Sequence, residues 1–186
     1  MEITQRELVT LLHGTLFGGF FVMAIFGAIA MLMEQSTPDA TPAKLASRWQ
    51  TIYLTVMVAT GWAAVLTGAY IIYPWYRAVA PAGAGLALYP KLLLTSSPTT
   101  AGWHNLGMEW KEHVAWIAPM AITMVAAIML RHRAVWNADR QVRRAVLGFT
   151  AVAFLAATLA GGWGVLISKA APVRGGITIQ IMRNAQ

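Results

Sequence analysis

Residues 8–33, LVTLLHGTLFGGFFVMAIFGAIAMLM, contain no Asp, Glu, Lys or Arg. At about 1.5 Å of rise per residue, a helix of this length covers the roughly 30 Å hydrocarbon core of a bilayer. Comparable runs occupy residues 49–73, about 110–130 and 145–168. Their spacing predicts an all-α integral membrane protein: one membrane domain, residues 1–186, with four transmembrane helices in an up-and-down bundle.

Composition agrees with that reading. Of 186 residues, 58% are hydrophobic and only 11% charged, which is far from the usual soluble balance. The net charge of +7 does not point to nucleic acid, because the basic residues sit between apolar runs, as membrane-flanking loops require. Cysteine is absent, which excludes disulfides, thiolate metal sites, iron–sulfur clusters and covalent c-type haem. Residues 1–7 carry Arg6 against Glu2 and Glu7, and the apolar run behind them is too long for a signal-peptide core. A retained span is therefore expected.

The connections differ in character. Ser36, Thr37, Pro38 and Asp39 stop the first run, as turn-forming residues do. A long loop over residues 74–105 joins spans 2 and 3, with Pro81, Pro90 and Pro98 and an apolar patch from Leu86 to Leu94 that suits the membrane interface. Loops of this length are commonly functional. The third connection concentrates Arg131, Arg133, Arg140, Arg143 and Arg144. The positive-inside rule puts that segment in the cytoplasm, so both termini and the long loop are expected outside, in a bacterial cytoplasmic membrane. Gly14 and Gly18, Gly61 and Gly68, and Gly161, Gly162 and Gly164 suit close helix packing. Trp49, Tyr73, Trp75, Trp103, Trp110 and Trp136 read as interfacial anchors.

Chemistry concentrates at the start of two odd-numbered spans. His13 and His113 lie near the beginnings of spans 1 and 3, which must start on the same membrane face. Paired imidazoles in a helical bundle are how a b-type haem is held. The sequence therefore nominates His13 and His113 as axial ligands of one haem b. Phe17, Phe20, Ala24, Gly27 and Met31 would wall the macrocycle, and Lys111, Arg77 or Lys91 would pair with its propionates. His104 is a lesser alternative, about nine residues and roughly 13 Å farther out on a helical rise. His132 has no histidine partner on its side. Glu109 and Glu112 are the acids placed to accept protons from a quinol. A di-iron carboxylate site is disfavoured, because Glu109 and His113 are one residue too far apart for the Glu-x-x-His pattern.

This plan resembles small membrane-anchor cytochrome b subunits of respiratory complexes, in span number and histidine placement rather than in any motif. The resemblance implies electron transfer between the quinone pool and an extracytoplasmic redox protein, within a respiratory or photosynthetic complex and among membrane lipid and other subunits. The alternative is a cofactor-free structural or assembly subunit. A transporter is disfavoured because no charge lies at the centre of any span. Nothing resembles a nucleophile–base pair or a nucleotide-binding loop, so the chain is not expected to be a complete enzyme by itself.

Overall fold

The structure is a computed structural model that describes residues 2–35, 48–132, 135 and 138–180. It is 82% helical. Four helices are long and apolar enough to cross a membrane: α1 (Gln5–Met33), α2 (Arg48–Tyr76), α3 (Pro98–Arg131) and α4 (Arg140–Ala170). The expected stop at Ser36, Thr37, Pro38 and Asp39 lies outside the described residues, as do Arg133 and Trp136.

Local chemistry fixes the helix starts. Thr4 caps α1 in a reciprocal capping box with Glu7, which satisfies two otherwise orphaned backbone donors. Asp139 accepts from the backbone of Gln141 and Val142 to start α4. Helix α3 begins at Pro98, behind the N-cap Ser97, well before the start near residue 110 that hydropathy predicts. Polar residues such as His104 and Asn105 lower hydropathy without breaking a helix, and proline at the first turn favours one. The long connection is shorter in consequence. It carries a helical turn at Leu86–Leu88 and a short helix at Pro90–Thr95.

Contacts at both ends of each pair show that neighbouring helices run antiparallel. α1 meets α2 at His13–Thr67 and at Ala24–Tyr53. α2 meets α3 at Tyr73–Glu112 and at Trp62–Thr123. α3 meets α4 at Gly107–Trp163 and then at Trp110–Ala156, and farther along Met129 shares the core with Val146. α4 returns to α1 at Phe26–Phe154 and, just beyond its end, at Glu7–Arg174. Helices α1 and α3 are thus diagonal across the bundle.

Ile25, Leu32, Leu54, Met57, Ile122, Val125, Val146 and Ala153 fill the interior. Yet Phe20, Met23, Phe26, Leu155 and Val165 face outward, so polarity alone does not set inside from outside. Small residues do that, by letting neighbours approach closely. A Cβ on Gly61 would stand 2.6 Å from the Phe21 ring, and one on Gly107 would stand 2.9 Å from Trp163.

A second apolar cluster closes the end that holds both termini. Leu94 from the connection packs with Tyr76, Met108, Ile167, Ala171 and Val173, so part of the Leu86–Leu94 patch folds back onto the helix ends. Strands β1 (Glu2–Thr4) and β2 (Thr178–Gln180) pair antiparallel there. Arg6 stacks on Trp75, 5.3 Å from its ring centre.

Phe21 is buried, and its ring stands where Gly61 would carry a Cβ. Gly61→Ala should therefore cost about 1–3 kcal/mol by overpacking, lowering the thermal midpoint in detergent by several degrees. An unchanged midpoint would show that the α1–α2 approach is looser than described.

Candidate functional site

Helical winding is irregular at one end of the bundle. Residues 12–19, 68–72, 103–108 and 110–114 are π-helical, marked by bonds such as Tyr73 N–H to the Gly68 carbonyl and Ala115 N–H to the Trp110 carbonyl at 3.1 Å. Such segments are rare and recur at functional sites. Here all of them lie toward the end shared by the termini, on three different helices. Pro119 contributes in α3. It lacks the N–H that would reach back to Ala115, whose carbonyl instead accepts from Ala118 at 3.3 Å.

The segment YPWYR, residues 73–77, ends α2 above this region. Tyr73 donates its hydroxyl to Glu112 Oε2 at 2.7 Å. Arg77 donates to the same hydroxyl and lies 3.8 Å from Glu112 Oε2. The i, i+4 spacing of Tyr73 and Arg77 places them on one face, so the carboxylate is held from two sides. Its other oxygen, Oε1, is buried without a hydrogen-bond partner among the described residues, although the side chain as a whole is 18% exposed. One turn farther out, the buried Tyr76 shares a 2.9 Å hydrogen bond with His104 Nδ1.

Lys111 and His13 occupy two other helix seams toward the same end of the bundle. The Lys111 ammonium enters the α3–α4 seam, where its one described acceptor is the Ala160 carbonyl at 3.4 Å. Gly164 makes room for it, since a Cβ there would stand 2.9 Å from Nζ. Among the described residues no carboxylate pairs with Lys111. His13 Nδ1 is 3.0 Å from Thr67 Oγ1. The Thr67 hydroxyl donates to the Ala63 carbonyl. Its oxygen must then accept from His13 Nδ1–H, which leaves Nε2 with a lone pair. The ring edge lies against Gly68, where a Cβ would meet Cε1 at 2.9 Å.

Sequence-nominated residues separate into two groups. Lys111, Glu112, Arg77 and His13 converge on one end of the bundle. His113 does not join them: its side chain is 71% exposed, with Nδ1 3.0 Å from the Glu109 carbonyl and 3.5 Å from the Glu109 carboxylate. Glu109 is 55% exposed beside it. The His13–His113 pairing is therefore not made within one chain. Two features separate them: α1 and α3 are diagonal, and the π-helical turns shift side-chain direction away from α-helical periodicity. Of the residues expected to wall a haem, Phe20 points outward, while Phe17, Ala24, Gly27 and Met31 are half-buried. His104 lies within α3, held by Tyr76 rather than free in a loop, and Lys91 precedes that helix. Tyr73, expected only as an anchor, is part of the site. Its i, i+4 relation to Arg77 was the available signal. Thr67 carried none, and Gly68 stood out only as a packing residue.

No protein-family model, curated protein or solved structure matches this chain. The site's meaning rests on its own chemistry.

Gly68→Ala should push the His13 ring off Thr67 and remove a bond worth about 1 kcal/mol. Nitrogen NMR of the His13 imidazole should then show loss of the fixed Nδ1–H form. A spectrum identical to wild type would mean that Gly68 does not position the ring.

Proposed function

We propose that this chain is an integral membrane electron-transfer subunit of a larger respiratory or photosynthetic complex, binding a quinol at the polar end of its bundle. The observation that carries this reading is the unpaired, buried Oε1 of Glu112, one residue from an ammonium with a single weak acceptor. An unused buried acceptor complements a molecule that presents hydroxyls when reduced. Leaving a buried polar atom unsatisfied costs about 1–3 kcal/mol, which a ligand hydroxyl recovers.

In this reading a quinol hydroxyl donates to Glu112 Oε1, and the carboxylate takes the proton as the ring is oxidised. Tyr73 and Arg77 hold the carboxylate in place. Lys111 stabilises charge developing on the ring oxygen, and the bare Nε2 of His13 offers a further acceptor. Oxidation releases a second proton, which passes to water, and two electrons, which leave one at a time to a one-electron acceptor on a partner, outside the cytoplasm in the orientation that the arginine-rich connection supports.

One observation favours a second reading that includes haem b. The donor types fit this group, but the His13–His113 pair does not converge on it within one chain. His113, however, has Nδ1 fixed by a backbone carbonyl and Nε2 turned outward, the arrangement typical of metal-ligating histidines. A haem held between this chain and a neighbouring chain would take His113 as one axial ligand, and when bound it supplies one-electron transfer. In this reading the intact complex, made under haem-replete conditions, shows Soret and alpha bands that change on dithionite reduction, and His113→Ala weakens them. Absent bands end the haem reading, and bands unaltered by the substitution remove His113 from it.

For the quinol site, tryptophan quenching by a decyl-benzoquinol and the matching quinone separates the two redox forms. Glu112→Gln should raise the quinol Kd by about tenfold, close to 1.4 kcal/mol, and leave quinone binding nearly unchanged. Equal effects on both forms, or none, would rule out the carboxylate's role. Absence of both haem bands and quinol binding would favour a cofactor-free assembly subunit.

A further inference from the structure

The end of the bundle opposite the termini gathers cations without acids to match. Its two connections, residues 34–48 and 131–144, carry seven Lys and Arg against three Asp and Glu. Arg131 at the end of α3 and Arg140 and Arg144 at the start of α4 are exposed. Among the described residues no carboxylate pairs with any of the three, for the ion pairs Arg77–Glu112, Arg174–Glu7 and His113–Glu109 all lie toward the other end. Asp139 stands next to Arg140, but its Oδ1 accepts from the backbone of Gln141 and Val142. Arg140 and Arg144 are about one turn apart on one helix face, roughly 6 Å along the axis. Two guanidinium forks are thus offered together to an anion.

The face below these arginines identifies what carries the anion. Gly148 stands about one turn beyond Arg144, and packing does not account for it: none of the described residues lies within 4 Å of where its Cβ would be. Val152, Leu155 and Leu159 continue the exposed face, at the three- and four-residue steps of a helix stripe. From Gly148 to Leu159 the stripe rises about 16 Å, close to half of a roughly 30 Å hydrocarbon core. Cations at the head, open backbone one turn in and one leaflet's depth of apolar surface together match a phospholipid. Its phosphate would lie on the arginines and an acyl chain along Gly148. A free anion, a nucleic acid or an acidic protein would use the arginines and leave the stripe without a role.

We infer that Arg140, Arg144 and the α4 face from Gly148 to Leu159 bind an acidic phospholipid of the leaflet on the arginine-rich side. A zwitterionic headgroup would bring its own cation up to the guanidiniums, whereas an acidic one brings only the phosphate. Arg131 adds to the positive field that draws acidic lipid to this end. The inference rests on the membrane-embedded part of the proposed function and is independent of the quinol site.

The test measures lipid retention by the full chain, released from detergent micelles for native mass spectrometry after equilibration with equal amounts of dioleoyl phosphatidylglycerol and dioleoyl phosphatidylcholine. The two share their chains and differ in headgroup charge. Phosphatidylglycerol should be retained about tenfold over phosphatidylcholine, close to 1.4 kcal/mol. Arg140→Gln combined with Arg144→Gln should abolish that preference. Gly148→Leu, which fills open space and leaves the contacts between helices intact, should lower phosphatidylglycerol retention about fivefold, close to 1 kcal/mol. Equal retention of the two lipids by the unaltered chain, or an undiminished preference in both variants, would overturn the site while leaving the membrane-embedded reading in place. Displacement of the lipid by glycerol 1-phosphate or by polyglutamate at matched concentration would assign the arginines to a soluble anion or an acidic protein, and would overturn it too. Retention of neither lipid would remove the membrane-embedded reading along with the site.

Discussion

Close approach between helices at glycine is the constraint on which the other features depend. The Phe21 ring occupies the space where Gly61 would carry a Cβ, and Trp163 does the same at Gly107. When apolar side chains point outward as well as inward, exclusion of apolar groups from water cannot by itself decide which faces meet. Shape decides. The glycines set the distance between α1 and α2 and between α3 and α4, and the polar seams at one end inherit that spacing.

Those seams need a second kind of support. Charged and hydroxyl-bearing groups placed among apolar helices are costly unless partners satisfy them. Tyr73 and Arg77 do so for one oxygen of Glu112, and Thr67 does so for His13 Nδ1. What they leave over is as informative as what they satisfy: an acceptor on Glu112, a lone pair on His13 and an ammonium with few acceptors. The π-helical turns redirect these side chains, and the cap formed by the termini and the Leu94 cluster covers the same end.

The sequence was most reliable where a signal was long and repetitive. Charge-free runs identified four helices because hydropathy averages over many residues. It placed the start of α3 late, because His104, Asn105 and Glu109 lower hydropathy while remaining compatible with a helix begun by Ser97 and Pro98. The site was legible in part. Lys111, Glu112, Arg77 and His13 stood out as polar groups beside apolar runs. Tyr73 was hidden among aromatic residues that also suit an interfacial role, and Gly68 had no chemical signature at all.

By itself, the sequence determined that the chain is built from four long apolar helices, that thiol chemistry is absent, and that its ionisable residues gather toward the ends of the apolar runs. Those properties follow from composition and spacing, which no packing arrangement alters. Tertiary structure decided which groups meet. His13 and His113 lie toward the same end of the bundle, yet one ring is inserted against Gly68 and the other is largely exposed. Depth depends on residue count, whereas direction depends on helical winding and on the neighbour each helix acquires. Where a pair of imidazoles was expected, His13 sits against Thr67, Lys111 enters the α3–α4 seam and Glu112 is held by Tyr73.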